Sequence, residues 1–283
     1  MFKHLRIGSF GIRLLVCLIV VDGAYFGYRQ LFPEPPPLAT PYGKLAALRS
    51  ALDQIYLSQT AITNFSKSGA SDASAFHALD DMRLQFERST ADLQTASTST
   101  ASLLSDHDTQ TVKTILAKAR SASAIYKSSY GALGQVISYD PVADMGSIDM
   151  THDSAKLTTR AAAAQKGLLK AANNPVTAAD IAASSSLSVQ SDNGPAPLIS
   201  PDTKAIVLSQ ASCFARLVEE VSARQEPSAA ATRQDCINSY AKVRQAAVQN
   251  VIANSWGPSY QNFTNDTIPP LLRQLDNRIK TAR

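Results

Sequence analysis

Apolar positions recur along most of this chain at spacings of three and four, the pattern of helices that each bury one stripe. Leu45, Leu48, Leu52, Ile55 and Ile62 follow that rhythm, with Gln59 standing in the seam. From about Asp72, Phe76, Leu79, Phe86 and Leu93 share a face. A third run, from about Asp108 towards Ile137, aligns Val112, Ile115, Ala119, Ala122, Tyr126, Leu133 and Val136. An alanine-rich helix is predicted from about Asp153 to Ala172, and a weaker one after Asn174-Pro175. Further helices are expected over 202–224 and 228–253. A last one begins at about Thr267, with Pro269 and Pro270 in its first turn, where missing N–H groups cost little. Stripes this narrow predict long antiparallel helices packed side by side at shallow angles, in the manner of coiled coils. The fold class is all-α.

Three stretches break the period. Ser138–Asp149 (SYDPVADMGSID) reads as a turn region, and Ser184–Pro201 (SSSLSVQSDNGPAPLISP) collects the residues of a linker. Trp256–Pro258 is the third break. The predicted organisation is a cytoplasmic flank and membrane anchor over 1–32 and a proline-rich spacer over 33–41. A helical bundle over 42–183 and a linker over 184–201 follow. The remainder, 202–283, is a helical hairpin plus a C-terminal helix, free to pack on the first bundle.

The N-terminus changes the picture most. It runs from a basic flank through the apolar core Leu14–Val21 to the aromatics Tyr25, Phe26 and Tyr28, then a run of prolines. Extended from Ile7 to Tyr28 the segment is just long enough to span a bilayer if Arg13 snorkels towards the cytoplasm. Asp22 is costly near the bilayer centre and cheaper at the outer interface, where the tyrosines suit it. The competing reading is a cleaved signal peptide, for which neither Gly23 nor Ala24 offers a clean small-x-small site. The preferred expectation is a single-pass signal anchor, N-terminus cytoplasmic and everything after about Leu31 extracytoplasmic, by the positive-inside rule.

Charge and composition then restrict function. Of the formal net charge of +4, most resides in Lys3, Arg6, Arg13 and Arg29 against Asp22. The nearly neutral body does not suit nucleic acid, whose binding rests on clustered phosphate contacts. At 45% hydrophobic residues the chain can bury a true core. No GxSxG, SxxK, HExxH or phosphate-binding glycine loop occurs, so no catalytic residue and no cofactor is assigned.

Cys213 and Cys236 flank the expected turn at Gln225–Pro227 and would lie at nearly the same height in an antiparallel hairpin. Cys213 is placed on a stripe with Ile206, Leu217 and Val221, and Cys236 on one with Tyr240, Val243 and Ala247. Outside the cytoplasm, a disulfide is expected between them; two buried free thiols are the alternative. Asp106, His107 and Asp108, together with Asp149, His152 and Asp153, are the one candidate metal set. Its plainer reading is helix N-caps and first-turn acids. Tyr130, Tyr139 and Trp256 stand near breaks, where aromatics either line a groove or cap a core; core caps are the expectation.

The expected function is therefore protein–protein binding by a membrane-anchored helical protein. It would serve as a cell-envelope scaffold, an assembly subunit or a ligand-sensing module. Its expected partners are the lipid bilayer and an envelope protein or a second copy of itself. The alternative from another class is an envelope enzyme with a metal-assisted site in the Asp106–Asp108 and Asp149–Asp153 loops.

Overall fold

A computed structural model describes residues 40–69, 74–175, 190–191, 194–195 and 198–281. The expected anchor over 1–32, most of the spacer and the weak helix after Pro175 lie outside these residues. Among the described residues no helix is long and apolar enough to cross a membrane.

The helices are α1 (Pro41–Lys67), α2 (Ser74–Thr100), α3 (Asp106–Ser138), α4 (Pro141–Met145) and α5 (Ser154–Ala172), then α6 (Pro201–Ser222), α7 (Glu226–Ser255) and α8 (Pro258–Thr281). A 3-10 turn, Ala101–Leu103, joins α2 to α3. The described part of the linker contributes two two-residue strands, Gln190–Ser191 and Gly194–Pro195, paired antiparallel. The fold is all-α, as the apolar periods require.

Caps set the boundaries. Thr40 Oγ1 accepts the Gly43 N–H at 3.0 Å, so Pro41 belongs to the first turn of α1 rather than to the spacer. Ser105 Oγ accepts the Asp108 N–H at 3.1 Å and starts α3. Asp140 Oδ1 accepts from Val142 at 3.0 Å and Ala143 at 3.3 Å, folding the predicted turn region into the short α4. Two such bonds satisfy N–H groups that a helix start otherwise leaves unpaired. The α6–α7 joint falls two residues before the expected turn. Gln225 N–H reaches Glu220 O at 2.9 Å and Arg224 N–H reaches Val221 O at 3.1 Å. This closes a Schellman motif around Arg224, whose φ is 55°.

α3 and α7 run antiparallel and tie two packed groups together. α1, α2 and α8 pack together as one group, with α2 running along α3 far enough to stack Phe76 on Tyr130; α5 and α6 pack together as the other, with α4 against α5 and α7. In the first group the stripe Leu48, Leu52, Ile55, Gln59 and Ile62 is buried, as are Leu79, Phe86 and Leu93. Trp256 closes this core as expected of a cap, meeting Phe86 and Tyr126 edge-on at 4.9 Å each and Tyr260 at 6.3 Å. Tyr126 Oη donates to Leu79 O at 2.9 Å, tying α3 to α2.

Three expectations fail for one physical reason. α8 begins at Pro258, not near Thr267, and Pro269 and Pro270 lie inside it. Its buried stripe is Tyr260, Thr264, Ile268, Leu271 and Leu275, and the polar Thr264 conceals the period by donating to the Tyr260 carbonyl at 3.1 Å. The buried face of α6 is Thr203, Val207, Gln210, Phe214 and Leu217, so Ile206 is exposed and Cys213 sits at the flank. Gln210 is accepted in that core because its Nε2 donates to Cys236 O at 2.8 Å and its Oε1 accepts from Ser239 at 2.7 Å. A buried polar group that finds its partners costs little.

Cys213 and Cys236 are joined by a disulfide with a Cα–Cα distance of 5.8 Å, linking α6 to α7. Asn250 fastens the entry to α6. Its Oδ1 accepts the Ser200 N–H at 2.7 Å and its Nδ2 donates to Leu198 O at 2.6 Å, while Asn254 donates to the same carbonyl.

Candidate functional site

The two loops of the expected metal set do not meet. α3 is 33 residues long, so Asp106 and the region beyond Ser138 are about 50 Å apart at 1.5 Å per residue. Each set is also spoken for locally. Asp108 is buried and accepts from Arg278 Nη2 at 2.5 Å, while Arg278 Nη1 reaches Leu103 O at 3.2 Å. Asp106 and His107 are exposed beside it. His152 and Asp149 form a turn at 2.9 Å with Thr151, all on the surface, and Asp153 is exposed at the start of α5. Hydrogen bonds from the Thr151 hydroxyl and amide, then from His152, hold the Asp149 carboxyl well below the usual range. Among the described residues no cluster of three or more His, Cys, Asp or Glu side chains is placed to hold a metal ion.

The Arg278–Asp108 pair and the Arg49–Asp276 bond at 3.0 Å gather three features at one end of the molecule. These are the entry to α1, the start of α3 and the last turns of α8. At the other end of α3 lies a groove of about 630 Å³ where α3, α4, α5 and α7 converge.

Local sequence builds the groove. The α3 helix ends at Ser138 because Asp140-Pro141 cannot continue it, and the cap at Asp140 turns α4 across the end. That turn brings Tyr139 and Asp144 together: Tyr139 Oη donates to Asp144 Oδ2 at 2.8 Å. From α5, Arg160 Nη1 approaches the other oxygen, Asp144 Oδ1, at 3.4 Å. One turn further, Ala163, Ala164 and Gly167 keep the α5 wall low, with Leu168 below them. The far wall is Tyr240 of α7, which meets Tyr139 edge-on at 5.3 Å and Phe214 at 6.1 Å.

The groove's electrostatics are mixed. Asp140 and Asp144 face one guanidinium, Arg160, whose side chain is 52% exposed and makes a single long contact. Burial, and then the bond to Asp144, push the Tyr139 hydroxyl well above the usual tyrosine value. Burial does the same to Tyr240, against the opposing pull of Arg244. Both hydroxyls therefore remain neutral, able to donate and accept. Tyr240 is 2% exposed and lines the groove. Arg244 lies over the Tyr240 ring, 5.8 Å from its centroid, buried behind the groove wall rather than lining it.

Tyr139 stands at a break, where a core cap is the expectation; it is a groove residue. Asp144, Arg160 and Tyr240 carried no signal of this kind. Asp144 and Arg160 look like ordinary helix-surface charges, and Tyr240 reads only as part of the α7 stripe. The juxtaposition of Tyr139 and Tyr240 across 101 positions depends on the antiparallel register of α3 and α7. A scan against protein-family models, a search of curated proteins and a search of solved structures each found no match to this chain.

Proposed function

We propose that this chain is a membrane-tethered extracytoplasmic helical module that works by binding another envelope protein, as a scaffold or assembly subunit, through the groove at the far end of α3. The N-terminal segment would hold it to the bilayer with the bundle outside. One observation carries the reading: the described chain enters at Thr40 at one end of α3, and the groove opens at the other, about 50 Å away. A surface used for recognition gains from being held clear of the tether. The Cys213–Cys236 disulfide supports the compartment, because such bonds persist where the surroundings are oxidising.

The test is site-directed photo-crosslinking of the full-length chain in its native membranes. A photoreactive residue at Ala163, which lines the groove, is compared with one at Leu57, which is 51% exposed on α1. The expected outcome is a discrete adduct from position 163 that position 57 does not give and that Gly167→Leu, filling the groove, abolishes. Identical adducts from both positions, or none from 163, would refute the groove as the recognition surface. Fractionation with an intact N-terminus checks the tether; a mature chain starting near Ala24 would refute it.

A further inference from the structure

On the reading of the groove as a recognition site, we infer that it accepts a basic side chain, an arginine or lysine presented by a partner peptide. The lining supplies two carboxylates, Asp140 and Asp144, against the one guanidinium of Arg160. The Asp144–Arg160 contact is monodentate at 3.4 Å and half exposed, the kind of ion pair whose net worth is small. Arg160 therefore acts as a resident stand-in that an incoming cation displaces from Asp144. Asp140, whose Oδ1 caps α4, is the second carboxylate of the lining.

The remaining features fit the same ligand. The neutral Tyr240 hydroxyl, on a groove-wall side chain that is 2% exposed, is an acceptor for one guanidinium or ammonium N–H. The alkyl stem of lysine or arginine matches the floor of Ala163, Ala164 and Leu168. Arg244 adds positive charge behind Tyr240 but does not reach the lining, so it moderates the attraction without occupying the site. A carboxylate ligand would meet Asp140 and Asp144 with only Arg160 to hold it.

The test is titration calorimetry of the full-length protein with three capped tripeptides, acetyl-Gly-Xaa-Gly-amide, where Xaa is arginine, citrulline or glutamate. The arginine peptide is expected to bind, the citrulline peptide to bind about tenfold more weakly and the glutamate peptide not at all. Asp144→Asn should weaken the arginine peptide by about tenfold and Arg160→Gln should tighten it. Asp140→Asn keeps a competent helix cap and should also weaken binding, which separates charge loss from misfolding. Equal binding of arginine and citrulline, or a preference for glutamate, would overturn the cationic class while leaving the groove in place. Arginine binding undiminished by Gly167→Leu would place the peptide elsewhere and overturn the groove itself. Silence from all three peptides overturns the ligand assignment, whereas the crosslinking experiment judges the groove independently.

Discussion

Replacing Asn250 with alanine removes two hydrogen bonds that hold the segment entering α6 against α7. Asn250 is 5% exposed; its Oδ1 accepts from the Ser200 N–H and its Nδ2 donates to Leu198 O. A typical intramolecular bond contributes about 1 kcal/mol net, and leaving a buried group unpaired costs about 1–3 kcal/mol. The Ser200 N–H loses its partner outright, whereas Leu198 O keeps the amide of Asn254. The expected destabilisation is therefore about 2 kcal/mol, which for a domain of this size lowers Tm by about 4–8 °C. Asn254→Ala alone should cost less, because Asn250 still serves the carbonyl. The double variant should cost about 1 kcal/mol more than the two singles together, since only then is Leu198 O orphaned. Guanidinium denaturation of the four proteins, followed by far-UV circular dichroism, measures the cycle. Strict additivity, or a single-variant cost under about 0.5 kcal/mol, would refute the reasoning that these two amides share one buried acceptor.

Three shorter predictions rest on other features. The disulfide closes a sequence separation of 23, worth about 3 kcal/mol in the chain-entropy model, so Cys213→Ala/Cys236→Ala should unfold at lower denaturant. Free alkylation of both thiols in unfolded, unreduced wild type would contradict the bond. Arg224 holds φ of 55° in the α6–α7 joint, so Arg224→Gly should stabilise by about 0.5–1 kcal/mol, and an unchanged midpoint would count against strain there. Tyr126, Tyr240 and Tyr260 are held above the usual tyrosine value chiefly by burial. Their neutral forms are favoured in the folded state, so stability is intact below about pH 10. It falls above that by about 1.4 kcal/mol per group per pH unit as the unfolded chain ionises. Absorbance at 295 nm should show these three ionising only together with the loss of helical signal; ionisation within the folded protein would break the argument.

How far the chain can be read in advance depends on whether a core position is apolar. The α1 and α3 stripes, and the Cys236, Tyr240, Val243 and Ala247 face of α7, could be read directly, and Gln59 was placed in its seam because its neighbours framed it. On α6, Thr203 and Gln210 hold core positions as polar residues, so the apolar period runs misleadingly through Ile206 instead. What admits Gln210 is the Cys236 carbonyl and Ser239, groups on another helix that no local pattern reveals. Thr264 hid the first half of α8 similarly, by satisfying its hydroxyl on its own helix. The hairpin staple was readable because spacing and the turn set it. The groove was not, because α7 brings Tyr240 to Tyr139 only once the whole register is fixed.

The length of α3 also sets a concentration. On the proposed membrane tether at the Thr40 end, a groove about 50 Å away would sweep a half-sphere of that radius, within which one molecule corresponds to about 6 mM. A partner fixed in the same membrane and reaching into that volume would meet the groove at this level whatever its abundance in solution. A contact with a Kd of about 1 mM, such as one basic side chain settling against Asp144, would then be more than three-quarters occupied. On that tether the rod-like helix would make weak recognition sufficient between neighbours and negligible between strangers.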